Sequence, residues 1–279
     1  IPATAGLILG NGSDELIQIV TTAVARPGAV ILAPEPSFVM YRLNALYAGT
    51  RFVGVPLLPD FSLDTGAVLA AIARERPALI FLAYPNNPTG NLFAATGIEA
   101  ILRVAPGLVV VDEAYQAFAG ASFLPRLAEF PNLVVLRTVS KIGMAGLRLG
   151  YAVAAPEWTT ELNKVRQPYN LNALTQAAVP LLLAEDDLLA EQAARIRSER
   201  SRLHAALCNL PDVVAFPTQT NFVLARVPDA PRWFEHLRQQ GILVKNLHGW
   251  HPSLEHCLRI TVGTPAENDA LIAALQTLR

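Results

Sequence analysis

The feature that most limits the fold is a rhythm in the first half of the chain. Short β-branched runs, apolar at nearly every position, alternate with stretches of helical periodicity. The runs cover residues 29–33, 51–55, 79–83, 108–111, 133–136 and 151–154. A strand with one wet face alternates apolar and polar residues, whereas a strand apolar on both faces is covered on both. Between the runs, residues 14–25 place Leu16, Ile17, Val20 and Val24 on one helical face. Residues 64–74 open with a capping Asp64 and carry Val68, Leu69 and Ile72, and a third helix is predicted over 96–104. Repeated strand–helix–strand units imply a mainly parallel sheet with helices on both sides, so the predicted fold class is α/β.

The second half has a different pattern. Residues 172–210 are almost free of strand signals; Pro180 is expected to break the helical pattern there. From Asp186 to Leu210 the alternating charges of Glu191, Arg195, Arg197, Glu199, Arg200 and Arg202 predict a long helix with a solvated face. Strands are expected at 213–215, 221–226, 242–245 and 257–262, with a helix after Pro231 and a closing helix over 266–278. This describes a smaller α+β unit. The expected division is a large unit over 1–170 and a small one over 171–279, joined near 165–175.

Composition narrows the function classes. The chain has 279 residues, enough for one large domain or two modest ones. At 52% hydrophobic it is too apolar for a disordered protein, and a net charge of −1 lacks the basic excess of a nucleic-acid binder. The apolar runs are too short for a membrane span. Two cysteines, Cys208 and Cys257, make no disulfide framework, so a reducing, cytoplasmic setting is expected. No signal peptide is read at the start, and the opening Ile1 suggests a piece of a longer polypeptide.

In an open α/β sheet, ligands bind outside the carboxyl ends of the strands. Four loops at such places have unusual content. Gly10-Asn11-Gly12-Ser13-Asp14-Glu15 opens a helix, where free N–H groups attract phosphate; it also reads as an ordinary cap. Tyr84-Pro85-Asn86-Asn87-Pro88-Thr89-Gly90 reads as a stiff loop presenting an amide, or as a plain turn. Asp112-Glu113-Ala114-Tyr115 puts an acid at the end of a buried strand, where it needs a hydrogen-bonding or cationic partner or serves as a cap. Thr138-Val139-Ser140-Lys141, followed by Gly143, Gly146 and Arg148, offers either an exposed lysine or one suited to Schiff-base chemistry. Together they supply what pyridoxal 5′-phosphate requires. Asp112 is the acid for its ring nitrogen, Lys141 the amine for its aldehyde, and Arg148 with the glycine-rich helix start the anion site for its phosphate.

On these stretches, with Pro168–Leu174 (PYNLNAL) and the segment 257–268 (CLRITVGTPAEN), the chain resembles the fold-type I, class I/II aminotransferases, most closely the histidinol-phosphate aminotransferases. The matches occur in family order over nearly the whole chain. The resemblance implies that Lys141 binds the cofactor aldehyde and later shuttles a proton. It implies that Asp112 keeps the ring nitrogen protonated, and that Tyr115 and Asn87 hydrogen-bond the phenolic oxygen. Ser140, Arg148 and the backbone of Gly12, Ser13 and Asp14 would hold the phosphate; Phe38 and Ala114 would cover the two ring faces. Arg259 would grip the anionic end of the substrate, Lys245 its phosphate, and Asn170 would line the pocket.

Three departures from the family pattern stand out: Phe38 in place of the usual Tyr, Lys245 in place of an Arg, and a Lys141–Arg148 segment shorter by one residue. The family's N-terminal arm is expected to be missing. The implied reaction transfers an amino group between L-histidinol phosphate and 2-oxoglutarate in a homodimer, with no nucleic acid or membrane as partner. A threonine-phosphate decarboxylase, an aromatic aminotransferase and a non-catalytic cofactor-binding module are the alternatives. His248, His251, His256 and Cys257 crowd one region without a standard zinc spacing, so no metal is expected. Trp158, Trp233 and Trp250 read as packing residues or loop anchors.

Overall fold

A computed structural model describes residues 1–278. The first sheet is built from β1 (Gly6–Asn11), α1 (Ser13–Val24), β2 (Val30–Glu35), α2 (Met40–Tyr47), β3 (Arg51–Pro56), α3 (Thr65–Glu75), β4 (Leu79–Ala83) and α4 (Ala95–Val104). It continues through β5 (Leu108–Asp112), α5 (Gln116–Ala119), β6 (Leu133–Thr138), β7 (Leu149–Ala154) and α6 (Pro156–Val165). Its seven strands lie in the order β1-β7-β6-β5-β4-β2-β3, and only β7 runs against the others.

Alternate residues of each central strand enter different cores. Ile80, Leu82, Val109 and Val111 pack with α3 and α4; Leu79, Phe81, Leu108 and Val110 pack with α1 and α2. This two-sided burial is what the unbroken apolar runs foretold. β1 was not expected as a strand. It buries Ile8 but leaves Leu7 and Leu9 exposed, so the two-faced apolar signal is missing at this edge of the sheet.

The rest comprises α7 (Ala173–Leu183), α8 (Asp186–Cys208), β8 (Val214–Ala215), β9 (Phe222–Arg226), α9 (Ala230–Gln239), β10 (Lys245–Asn246), β11 (Cys257–Thr261) and α10 (Pro265–Gln276). The second sheet is antiparallel, ordered β10-β11-β9-β8. One face, with Val223, Ala225, Leu258 and Ile260, packs on Leu203, Leu207, Trp233, Leu237 and Leu271 of the helices. The alternate residues, Phe222, Leu224, Cys257 and Arg259, face the other way, toward the loops of the first sheet.

Two expectations are corrected. Pro180 does not break the chain; it lies inside α7 on an exposed face, so the carbonyl it leaves unbonded can be hydrated. The break falls between α7 and α8. The strand expected over 242–245 is reduced to Lys245–Asn246, since only those two residues find ladder partners on β11.

Candidate active site

The carboxyl ends of β1, β2, β4, β5 and β6 converge on one edge of the large sheet, and their loops enclose a cavity of about 170 Å³. Asp112 closes β5 and is buried there. Its Oδ2 accepts from the Tyr41 hydroxyl at 2.7 Å and its Oδ1 from the Ala114 N–H at 3.0 Å. Burial pushes the carboxyl up from its ordinary value to about 6, against the opposing pull of these two hydrogen bonds and of Lys141. The same burial, with the neighbouring Asp112 charge, raises the Tyr41 phenol well above its usual range, so Tyr41 is a fixed donor.

Lys141 sits in a 3₁₀ turn after β6, with its ammonium 5.3 Å from the centre of the Tyr115 ring. Desolvation lowers its pKa, and the nearby Arg259 charge adds to the shift; Asp14 and Asp112 oppose it. A larger share of neutral amine than for a surface lysine follows. The Tyr115 phenol is raised chiefly by burial.

The anion-binding end lies opposite. Gly12 caps α1 with a φ of 79°, and no side chain caps the helix, which leaves its first amides unclaimed. A Cβ at Gly12 would stand 2.5 Å from Arg148 Nη2. The guanidinium therefore reaches the helix start only because residue 12 has no side chain. Arg148 also lies 3.6 Å from Asp14 Oδ2, with both groups open to solvent. Ser13, Ser140, Lys141, Arg148, Phe38, Asn87, Ala114 and Tyr115 all line this one cavity.

The paired asparagines have separate work. Asn86 is fully buried and holds the loop together, donating to Pro36 O and Thr89 Oγ1 and accepting from Ser37 Oγ. It thereby ties the loop after β4 to the segment that carries Phe38. Asn87 faces the cavity, and its Oδ1 accepts from Arg259 Nη1 at 2.6 Å. Because Arg only donates, the Asn87 NH₂ remains free as a donor toward the cavity.

Arg259 and Lys245 come from the second sheet, where they are direct antiparallel partners, so their side chains leave the same face. Both line an adjoining cavity of about 330 Å³ that shares Phe38, Tyr41 and Asn87 with the first. Arg259 stacks over Phe222 at 4.9 Å, and its buried Nε finds no hydrogen-bond partner among the described residues. Lys245 lies 4.2 Å from the Trp250 ring centre.

Asn170 is a correction: it lines neither cavity. Its side chain is held at the rim by Glu15, Leu9 and Arg166. Among the cavity residues not foreseen are Tyr41, Trp250 and His251. Tyr41 lies in the first turn of α2, just after Phe38, and packs edge-on against its ring at 5.7 Å. Trp250 lies under Lys245, and His251 lines the second cavity with Nδ1 accepting from the Ser253 N–H. The other tryptophans act as anchors: Trp158 donates to Pro131 O, and Trp233 is buried in the small core. His248 pairs with Glu255 at 2.8 Å beside His256, while Cys257 turns into the core.

Residues 2–275 match the family model described as aminotransferase class I and II. The chain belongs to this family. Histidinol-phosphate aminotransferase of Chromobacterium violaceum is 60% identical to this aminotransferase over 276 residues, which is 99% of this chain and 78% of that one. Histidinol-phosphate aminotransferase 1 of Ralstonia nicotianae is 54% identical, with 99% and 76% covered. Among solved structures, the Sinorhizobium meliloti histidinol-phosphate aminotransferase in complex with pyridoxal-5′-phosphate superposes with a TM-score of 0.87 at 28% identity, covering 98% of this chain and 77% of that one.

The aminotransferase is thus a pyridoxal-phosphate enzyme of fold type I, and the cavity suits that group. Arg148 and the uncapped start of α1 form an anion cradle at one end. A buried acid with no cation bonded to it among the described residues stands at the other. An amine of lowered pKa lies beside them, and an aromatic ring and the small Ala114 line the walls between. That donor set is complementary to a flat, phosphorylated aldehyde with a basic ring nitrogen. No helix among the described residues is long and apolar enough to cross a membrane.

Proposed function

We propose that this aminotransferase moves the amino group of L-histidinol phosphate to 2-oxoglutarate. The observation that carries the choice of donor is the Lys245–Arg259 pair, two cations that partner each other across the second sheet and line the cavity adjoining the first. The donor ends in a phosphate and the acceptor in a second carboxylate, so one cationic wall must accept both. The 60% identity to a histidinol-phosphate aminotransferase supports the same donor.

When bound, pyridoxal phosphate supplies an electron sink for the carbon that loses its proton. The chain's own residues do the rest. Lys141 Nζ takes the proton from the substrate carbon and returns it on the neighbouring side; its lowered pKa keeps the amine competent to do so. Asp112, held by Tyr41 and the Ala114 N–H, would keep a proton on the ring nitrogen. Tyr115 and the free amide of Asn87 would donate to the phenolic oxygen. Ser140, Arg148 and the free amides of Ser13 and Asp14 would hold the phosphate, and Phe38 and Ala114 would cover the ring; the Gly12 N–H, expected to share in this, instead donates to Gly10 O at 2.8 Å, so Gly12 serves by leaving room for Arg148. Arg259 binds the substrate's anionic end with its fork, and Lys245 binds as a point charge.

The reading extends to a cytoplasmic homodimer, with units over 1–170 and 171–279. Separate hydrophobic cores, two against the large sheet and one against the small, support the division. The unpaired cysteines fit a reducing compartment. Exposed Leu174, Leu181, Leu182 and Leu183 on α7 fit a covered surface.

Arg259→Ala should weaken both half-reactions by roughly 2–5 kcal/mol, the range for truncating one partner of a buried charge contact. Single-turnover titrations of the holoenzyme measure this. Retained rates with either substrate would remove Arg259 from the site. Substrate choice is tested by offering L-histidinol phosphate, phenylalanine and threonine phosphate in parallel with 2-oxoglutarate. Glutamate should form with the highest kcat/KM from histidinol phosphate. Carbon dioxide release from threonine phosphate would mark a decarboxylase; preference for phenylalanine would mark an aromatic aminotransferase. Lys245→Ala should cost histidinol phosphate about tenfold or more, as for a lost charge-assisted hydrogen bond, and phenylalanine far less. Equal losses would refute its phosphate-reading role.

A further inference from the structure

The start of α1 is held open by an unusual arrangement. Its N-cap is a glycine, and the third helical residue, Glu15, does not serve the helix amides. Its Oε2 instead accepts the Asn11 N–H at 2.6 Å, one residue before the cap. The same oxygen accepts from Asn170 Nδ2 at 2.6 Å, across 155 residues of sequence. Asn170 is itself fully engaged. Its Nδ2 also donates to Leu9 O at 3.2 Å, its Oδ1 accepts from Arg166 Nη1 at 2.8 Å, and its backbone carbonyl accepts from Asn11 Nδ2 at 3.2 Å. Asn170 therefore fastens both β1 and Glu15 to the segment between α6 and α7.

We infer that Asn170 is a positioning residue for the cofactor phosphate, acting through Glu15 without touching the phosphate. A carboxylate one turn into α1 stands beside the place where a dianion binds. Left free, it repels that dianion and competes for the helix-start amides. Bonded to Asn170 and to the Asn11 N–H, it faces the β1 side and leaves the amides of Ser13 and Asp14 to the phosphate. The inference rests on the assignment of the phosphate to the amides of Ser13 and Asp14 and to Arg148.

The test compares binding of pyridoxal 5′-phosphate and of pyridoxal, which has no phosphate, to the cofactor-stripped full chain, followed by absorbance. Wild type should prefer the phosphorylated form. Asn170→Ala should lose roughly tenfold in affinity for it and keep its affinity for pyridoxal, with an unchanged thermal midpoint for the stripped protein. In the Asn170→Ala background, Glu15→Gln should return part of the loss, because it removes the repelling charge. Equal weakening of both ligands, or an unchanged preference in Asn170→Ala, overturns the inference and leaves the phosphate assignment standing. A wild type with no preference overturns both.

Discussion

Lys141→Ala is expected to lower the transamination rate by roughly 10⁴-fold, the upper range for removing a positioned proton-transfer group. The effect should fall on kcat far more than on binding, because Arg148, the α1 amides and Asp112 remain to hold the cofactor. Among the described residues no other lysine borders the first cavity. Borohydride treatment of the wild-type holoenzyme should fix a pyridoxyl group on the Lys141 peptide, and in the variant on none. A label on a different lysine, or a rate within tenfold of wild type, would take this residue out of the mechanism. Added small amines should recover part of the variant's activity, since what the site lacks is a base and its geometry is intact.

Asp112→Asn should do two opposite things. It should slow catalysis by roughly 10²–10³-fold, comparable to losing one preorganised electrostatic contact, because a neutral amide does not hold the ring nitrogen's proton. It should also stabilise the cofactor-free protein at neutral and alkaline pH. Burial raises the carboxyl in the folded state to about 6 from an ordinary value of 3.8. A raised carboxyl binds its proton more tightly folded than unfolded. The fold therefore carries no penalty from this group below about pH 4, an increasing one up to about pH 6, and the full one above. The difference of roughly two pH units corresponds to about 3 kcal/mol. Melting curves of the stripped proteins should show the variant ahead at pH 8, with the gap shrinking as pH falls toward 4. A gap that widens toward acid would contradict burial as the cause. The site holds an acid that the fold alone disfavours, and a protonated ring nitrogen beside it would be the charge that compensates it.

Much of this was legible in local sequence. Strands β2 to β6 follow from unbroken apolar runs, because a residue's alternation of faces is a property of its own few neighbours. The loops after β4, β5 and β6 were recognisable for a related reason. Their glycines, prolines and paired polar residues are poor choices for a core and good ones for a ligand edge, and they follow each strand directly. Lys141, Asp112, Asn87 and Arg148 are brought around one cavity by that placement. The separate tasks of Asn86 and Asn87 were not visible, since adjacent identical residues differ only in what surrounds them.

The rest was decided in three dimensions. β1 becomes a strand because β7 offers it an edge, although its own pattern is weak. Lys245 and Arg259 are neighbours only through the antiparallel register of β10 and β11. Tyr41 reaches Asp112 across 71 residues, Arg259 reaches Asn87 across 172, and Asn170 turns away from the pocket to hold Glu15. Sequence alone determined the central strands and the polar, glycine- and proline-rich loops that follow them, because periodicity and turn preference act over a few residues. Which side chains meet depends on strand register and on how one sheet seats against the other. Those are set by the sum of many distant contacts, so no short stretch of the chain encodes them.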